Sequence, residues 1–167
     1  MFETSKIVFS PRVRKSPYFN STIKYGAKAF SVYNHMYMPA SYDGVVEDYT
    51  NLLNGVQLWD VGVERQVQIK GPDAEAFAQF LTPRDIKKCP IGQAMYTPLT
   101  DFKGNLINDP VMLRIAKDCY WFSVSDGDLL LWAQGIAAGY KFDVDVDEPD
   151  VSPLQVQGPN STKLMIK

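Results

Sequence analysis

Apolar residues recur at helical spacing in three stretches of the chain and alternate with polar residues in several others. Val45, Val46, Tyr49, Leu52 and Leu53 share one face of a helix that starts behind Asp43 and stops at Asn54-Gly55. From Gln57 to Lys70 the chain reads as extended, with Val63, Arg65, Val67 and Ile69 alternating against Glu64, Gln66, Gln68 and Lys70 until Gly71-Pro72 breaks the run. Asp73 caps a second helix carrying Ala76, Phe77, Phe80 and Leu81, and Pro83 ends it. Strands are expected over Ala94 to Leu99, over Leu106 to Ile115 after the turn at 101–104, and over Cys119 to Val124 across the Lys117-Asp118 turn. A third helix, Asp128 to Ala138, leads to a strand through Phe142, Val144 and Val146.

The order from residue 63 to 146 is therefore β-α-β-β-β-α-β. That is an α+β chain on the split βαβ plan of a ferredoxin-like sheet (βαββαβ) with an extra hairpin strand. The lobe is expected to span 57–148. Before it, 1–56 form an arm and a helix of a discontinuous first domain, to which 149–167 return. Up to about Tyr42 no period is visible, and the segment is read as irregular. Its aromatic residues Tyr18, Phe19, Tyr25, Phe30, Tyr33, Tyr37 and Tyr42 are too dense for a linker and call for packing.

Charge and residue content narrow the chemistry. The 167 residues carry 17 Lys and Arg against 19 Asp and Glu, a net charge of −2, so there is no basic field to hold nucleic acid. No stretch approaches the ~20 apolar residues needed to span a bilayer, and the basic start (Lys6, Arg12, Arg14, Lys15, Lys24 and Lys28 against Glu3) lacks an apolar segment behind it. It reads as an ordered arm with its charges in solvent, and a cytoplasmic location is expected. Cys89 and Cys119 lie outside any CxxC spacing and are read as unpaired thiols. One histidine, His35, removes most His-based catalytic and metal-binding arrangements, and neither GxxxxGK[ST] nor GxGxxG occurs. Asp143, Asp145 and Asp147 alternate along a strand and read as a solvated face, not a calcium loop.

Five short segments carry a resemblance. They are Val56-Gln57-Leu58-Trp59-Asp60-Val61; Ile69-Lys70-Gly71-Pro72-Asp73-Ala74 with Phe80 to Ile86; Gly92-Gln93-Ala94-Met95-Tyr96; Gly104-Asn105-Leu106-Ile107-Asn108-Asp109; and Leu154-Gln155-Val156-Gln157-Gly158-Pro159. In this order and register the chain resembles the glycine cleavage T-protein (aminomethyltransferase) superfamily over roughly 56–165. Val32 to Met36, Val45 to Tyr49, Glu64 to Val67 and Asp128 to Ala133 extend the likeness towards its dimethylsulfoniopropionate demethylase branch. The resemblance implies a three-domain ring around a tetrahydrofolate channel, transfer of a one-carbon group to folate N5, and 5-methyltetrahydrofolate as product. The chain would be the first half of that fold, ending just inside the helix after Gln157-Gly158-Pro159. The downstream pterin-holding carboxylate would then be absent, and the half alone is expected to bind folate weakly.

One departure bears on the reaction. Where the superfamily pattern has two acids at the turn after its glycine pair, this chain has Asn108 followed by Asp109. That disfavours aminomethyl transfer, whereas a sulfonium methyl needs no acid, since its leaving group is a neutral thioether. Asp109 and Tyr96 are the implied catalytic residues. Met95, Tyr96, Asn108, Asp109, Ser123 and Ser125 are the implied folate-binding positions. Without the resemblance, Met95 and Tyr96 also fit plain strand packing, and Asp109 fits a turn cap ahead of Pro110. The expected partners are a small-molecule methyl donor, with self-association or a separate second-half chain, and no nucleic acid or membrane. Two other readings stay open: a folate-binding protein without catalysis, and a fragment of an aminomethyltransferase.

Overall fold

The computed structural model describes residues 9–166; Glu3 and Lys6 of the basic start, and Lys167, lie outside them. Eleven strands and five α-helices occur among the described residues: α1 (Phe19–Lys24), β1 (Ala29–Tyr33), β2 (Met36–Ser41), α2 (Val45–Asn54), β3 (Gln57–Asp60), β4 (Gln66–Lys70), α3 (Ala74–Phe80), β5 (Ala94–Tyr96), β6 (Leu99–Thr100), β7 (Leu106–Asn108), β8 (Val111–Ala116), β9 (Cys119–Ser123), α4 (Leu129–Tyr140), β10 (Asp145–Asp147), β11 (Leu154–Gln157) and α5 (Ser161–Met165). They fall into two compact units, one from the N-terminal segment through Val63 plus the return from Ser152, the other Glu64–Val151. None of the described helices is long and apolar enough to cross a membrane.

In the first unit the arm is not irregular. It folds into α1 and a β1–β2 hairpin in which Tyr33 faces Met36 across a two-residue loop. Asn34 and His35 in that loop have φ of 48° and 58°, the double left-handed geometry of the tight hairpin turn whose twist matches its strands. The arm's aromatic residues do pack: Phe9, Phe19, Phe30 and Tyr37 meet with ring centroids 5.0–6.3 Å apart, although Tyr25 stays exposed. The basic residues Arg12, Arg14, Lys15, Lys24 and Lys28 are exposed. α2 forms as its spacing predicts, yet buries no residue, and Val45, Val46, Tyr49 and Leu53 face outward. Its start is held by Asp48, whose carboxylate accepts the backbone N–H groups of Tyr42 and Asp43, while Asp43 does not cap it.

The expected single run from Gln57 to Lys70 is two strands. β3 pairs antiparallel with β11 in the first unit, and β4 enters the sheet of the second, so 57–63 do not belong with the lobe. That sheet has the order β10-β4-β9-β8-β5 with every pair antiparallel. One face is the core, where Val67, Ile69, Met112, Tyr120 and Phe122 pack against Ala74, Phe77 and Ala78 of α3 and Leu129, Ala133 and Ala137 of α4. Gly71 turns β4 into α3 at φ 144°, and a Cβ there would lie 2.6 Å from Asp143 O, so the close approach of the two segments requires glycine. Along β10 the alternation holds, with Asp143, Asp145 and Asp147 exposed and Val144 and Val146 turned towards the core. Both cysteines are free and buried.

Two further strands split. Ala94 to Leu99 becomes β5 and β6, and Leu106 to Ile115 becomes β7 and β8, because Pro110 has no N–H to carry a ladder through. β6 and β7 form a small separate hairpin closed by Asp101, whose carboxylate accepts the backbone N–H groups of Lys103 and Asn105 and the Asn105 amide. This hairpin delivers Asn108 and Asp109 to the end of the main sheet.

Candidate functional site

Four of the six residues singled out in the sequence meet at the junction of β7, β8 and β9. Asn108 is 3% exposed, and its side-chain amide clamps the backbone of Ser125: Nδ2 donates to Ser125 O at 3.0 Å, and Ser125 N donates to Oδ1 at 3.2 Å. Only an amide offers a donor and an acceptor in that arrangement; a carboxylate would set an oxygen against the Ser125 carbonyl. The clamp holds the serine beside the next residue. Ser125 Oγ donates to Asp109 Oδ1 at 2.5 Å, and Tyr96 Oη donates to Asp109 Oδ2 at 3.1 Å.

Each carboxylate oxygen of Asp109 thus receives one hydroxyl. The Ser125 hydroxyl, followed by that of Tyr96, holds the Asp109 carboxyl below the usual carboxylate range, and the same bond to Asp109 pushes the Tyr96 phenol up. At neutral pH the pair is an ionised acid beside a neutral phenol. Tyr96 is 53% exposed, so its ring offers an open aromatic face next to a fixed negative charge. An aromatic face with a carboxylate at its edge attracts organic cations and flat, donor-rich heterocycles.

Met95 and Ser123 stand apart from this group. Strand alternation places Met95 in the row Met95–Met112–Phe122–Val67 on the core face, opposite to Tyr96, where its side chain packs against the core. Met95 is half-buried there and lies apart from the Asp109 group. Ser123 shares the face of Tyr96 through the row Tyr96–Val111–Ser123–Gln66, but its hydroxyl accepts Gln66 Nε2 at 2.9 Å and makes no bond with Asp109. Gln66 itself escaped sequence reasoning, because in an alternating strand it reads as an outward polar residue. It is 6% exposed.

With this geometry in place, comparison with known proteins decides the relationship. The family model of the GCVT N-terminal domain matches residues 18–167. The chain belongs to that family. Among GCVT relatives, dimethylsulfoniopropionate demethylase DmdA of Ruegeria pomeroyi is 45% identical over 158 residues, which is 95% of this chain and 43% of that protein. An aminomethyltransferase of Desulfitobacterium hafniense is 25% identical over 93% of this chain and 43% of its own length, and one of Bdellovibrio bacteriovorus is 30% identical over 91% and 42%. The chain therefore spans less than half the length of the relatives it matches. In fold, this GCVT chain is similar to the glycine cleavage system aminomethyltransferase T from Bartonella henselae, with a TM-score of 0.82 and 23% identity over 92% of this chain and 43% of that one. The expected superfamily is thereby established, and the mixed α/β architecture with it.

Proposed function

We propose that this chain is the N-terminal part of a tetrahydrofolate-dependent methyltransferase of the dimethylsulfoniopropionate demethylase type, yielding 5-methyltetrahydrofolate. The observation that carries the reading is the use made of Asn108: the residue that replaces an acid is buried and spent on Ser125, which leaves Asp109 as the one carboxylate at the turn. A second acid is what an aminomethyl donor would call on, and a sulfonium donor does not need it. The 45% identity to the demethylase DmdA, against 24–30% to aminomethyltransferases, points the same way. In the same reading, β4, β8, β9 and β10 with α3 and α4 are the ferredoxin-like split βαβ plan, and β5 is the added edge strand.

The residues fit the folate they would hold. Asp109 keeps unused lone pairs on oxygens that each accept only one hydroxyl, which suits the N–H groups of a pterin, and the exposed Tyr96 ring suits its flat face. When bound, tetrahydrofolate would supply the N5 lone pair that takes the methyl, with the S–CH3 electron pair staying on sulfur as a neutral thioether and the N5 proton leaving to water. Asp109, kept ionised by Ser125 and Tyr96, orients the donors at its edge without giving up a proton. Tyr96 adds an electron-rich face near the positive charge. The catalytic contribution of this chain is then positioning and electrostatics, with no proton moved by its side chains.

A donor comparison on the full polypeptide that carries this chain tests the reading. Methyl transfer from dimethylsulfoniopropionate is expected to exceed transfer from an aminomethylated carrier protein by orders of magnitude. The reverse preference would make it an aminomethyltransferase, and folate binding without transfer from either donor would make it a non-catalytic folate binder.

A further inference from the structure

Just ahead of β4 the chain carries a second acid that the Asp109 group leaves unexplained. Glu64 is half-buried, and its carboxylate has no ion-pair or hydrogen-bond partner among the described residues. Two residues on, at the start of β4, Gln66 is 6% exposed and its Oε1 is buried without a partner. The amide cannot be turned round to relieve this. Its Nε2 donates to Glu64 O at 3.0 Å and to Ser123 Oγ at 2.9 Å, and a flip would set Oε1 against the Glu64 carbonyl. A buried acceptor and a half-buried carboxylate, both unsatisfied and side by side, are costly to fold unless a positive group completes them.

Strand register connects this pair to the Asp109 group. Gln66 faces Ser123, and Val124 N donates to Arg65 O at 3.0 Å, which carries the ladder one step past β4, to the residue after Glu64 on one side and the residue before Ser125 on the other. Ser125 is the residue bonded to Asp109. Glu64 itself stands at a bend one residue beyond that hydrogen bond and two residues before β4 begins. β4 and β8, which begin two residues after Glu64 and Asp109, are two strand spacings apart, roughly 10 Å.

We propose that Glu64, with Gln66 Oε1 beside it, is the counter-charge that receives the positive centre of the methyl donor. The inference rests on the function proposed above and names the part of the chain that recognises an onium group. Burial raises the Glu64 carboxyl, as expected of an acid waiting for a cation. Its attraction is strongest for the substrate, whose charge is on sulfur, and fades as the methyl leaves and the sulfur becomes neutral. Glu64 is thus a positioning and selectivity residue. Its loss should appear in KM, with kcat unchanged or higher.

Binding of dimethylsulfoniopropionate and of its neutral thioether product, 3-(methylthio)propionate, is measured by calorimetry in the full polypeptide as wild type and as Glu64→Gln. Wild type should prefer the sulfonium. Glu64→Gln should weaken sulfonium binding about tenfold or more, leave thioether and tetrahydrofolate binding within about twofold, and raise KM without lowering kcat. Glu64→Leu repeats the test with a second neutral side chain. Equal affinity changes for sulfonium and thioether, no change for either, or a fall confined to kcat would overturn the counter-charge. A wild type that binds tetrahydrofolate but no sulfonium would overturn the proposed function itself, and is recognised before any variant is made.

Discussion

The Tyr96 hydroxyl and the Ser125 hydroxyl reach opposite oxygens of the same carboxylate, Asp109, from strands that lie on either side of the one it precedes. This arrangement makes the acid an ionised, oriented acceptor. Asp109→Asn keeps the shape and removes the charge, and should lower the rate of methyl transfer in the full polypeptide by one to two orders of magnitude while changing Tm little, since the side chain is close to solvent. Tyr96→Phe keeps the ring and should cost less than tenfold. Stopped transfer assays alongside thermal melts separate the two readings: a rate loss wholly matched by unfolding would reduce Asp109 to a turn residue.

Protonation of the two acids should act in opposite directions. Asp109 has its folded-state pKa lowered, so any stability it adds is present above its ordinary titration range and is lost as pH falls through the lowered value. Glu64 has its folded-state pKa raised by burial, so its ionisation opposes folding; that opposition is full above the raised value, shrinks as the pH falls through it and is gone below the ordinary carboxylate range. Melting curves from pH 7 to pH 3 should therefore show Glu64→Gln more stable than wild type at neutral pH, with the gap closing on acidification. Asp109→Asn should show no such gain. A lower Tm for Glu64→Gln at pH 7 would mean that the carboxylate has a stabilising partner.

Asn108→Asp, the change that restores the superfamily acid, should not restore aminomethyl chemistry. It removes the donor to Ser125 O and sets a buried carboxylate oxygen against that carbonyl, a loss of about 1–3 kcal/mol. Gly127 packs nearby, where a Cβ would lie 3.3 Å from the amide nitrogen, so the site has little room to adjust. Denaturant titration should show the destabilisation, and donor assays should show no gain with an aminomethylated carrier.

Much of this was legible in the sequence, in particular places. The three amphipathic periods located α2, α3 and α4 because helix spacing survives whatever the surroundings are. The alternation from Gln57 to Lys70 did not reveal a break, since Val61-Gly62-Val63 reads as one more apolar step while the chain turns from one sheet into another. The β1–β2 hairpin was hidden because its turn uses Asn34-His35, which lacks the glycine that usually marks a left-handed pair. At the site, Asn108, Asp109 and Tyr96 stood out as residue types at motif positions. Met95 stood out in the same motif although it lies in the core-facing row, because neighbouring strand residues face opposite sides and motif spacing alone does not say which side is the core. Gln66 and Glu64 carried part of the resemblance but no sign of a site, as their interest lies in acceptors left without partners.

Gly71 offers a test of the fold that is independent of function. Its φ of 144°, and the 2.6 Å that would separate an added Cβ from Asp143 O, leave no place for a side chain. Gly71→Ala should therefore cost roughly 1–3 kcal/mol from backbone strain, with further loss if the contact with 143 opens. Gly92→Ala, with open space around the added carbon, should suffer only the cost of its left-handed φ of 80°. Equal melting temperatures for the two variants would contradict the packing described between the start of α3 and the approach to β10.

The central claim is that the methyl of a sulfonium donor passes to folate on a surface of which Asp109 is part. Dimethylsulfoniopropionate labelled with 13C in its methyl groups, followed by NMR with the full polypeptide and tetrahydrofolate, tests it most directly. The account predicts that one labelled methyl appears on folate N5, that the other remains on the thioether product, and that Asp109→Asn slows both signals equally. Label that never reaches folate in the wild type, or that reaches it at the same rate in Asp109→Asn, would contradict it.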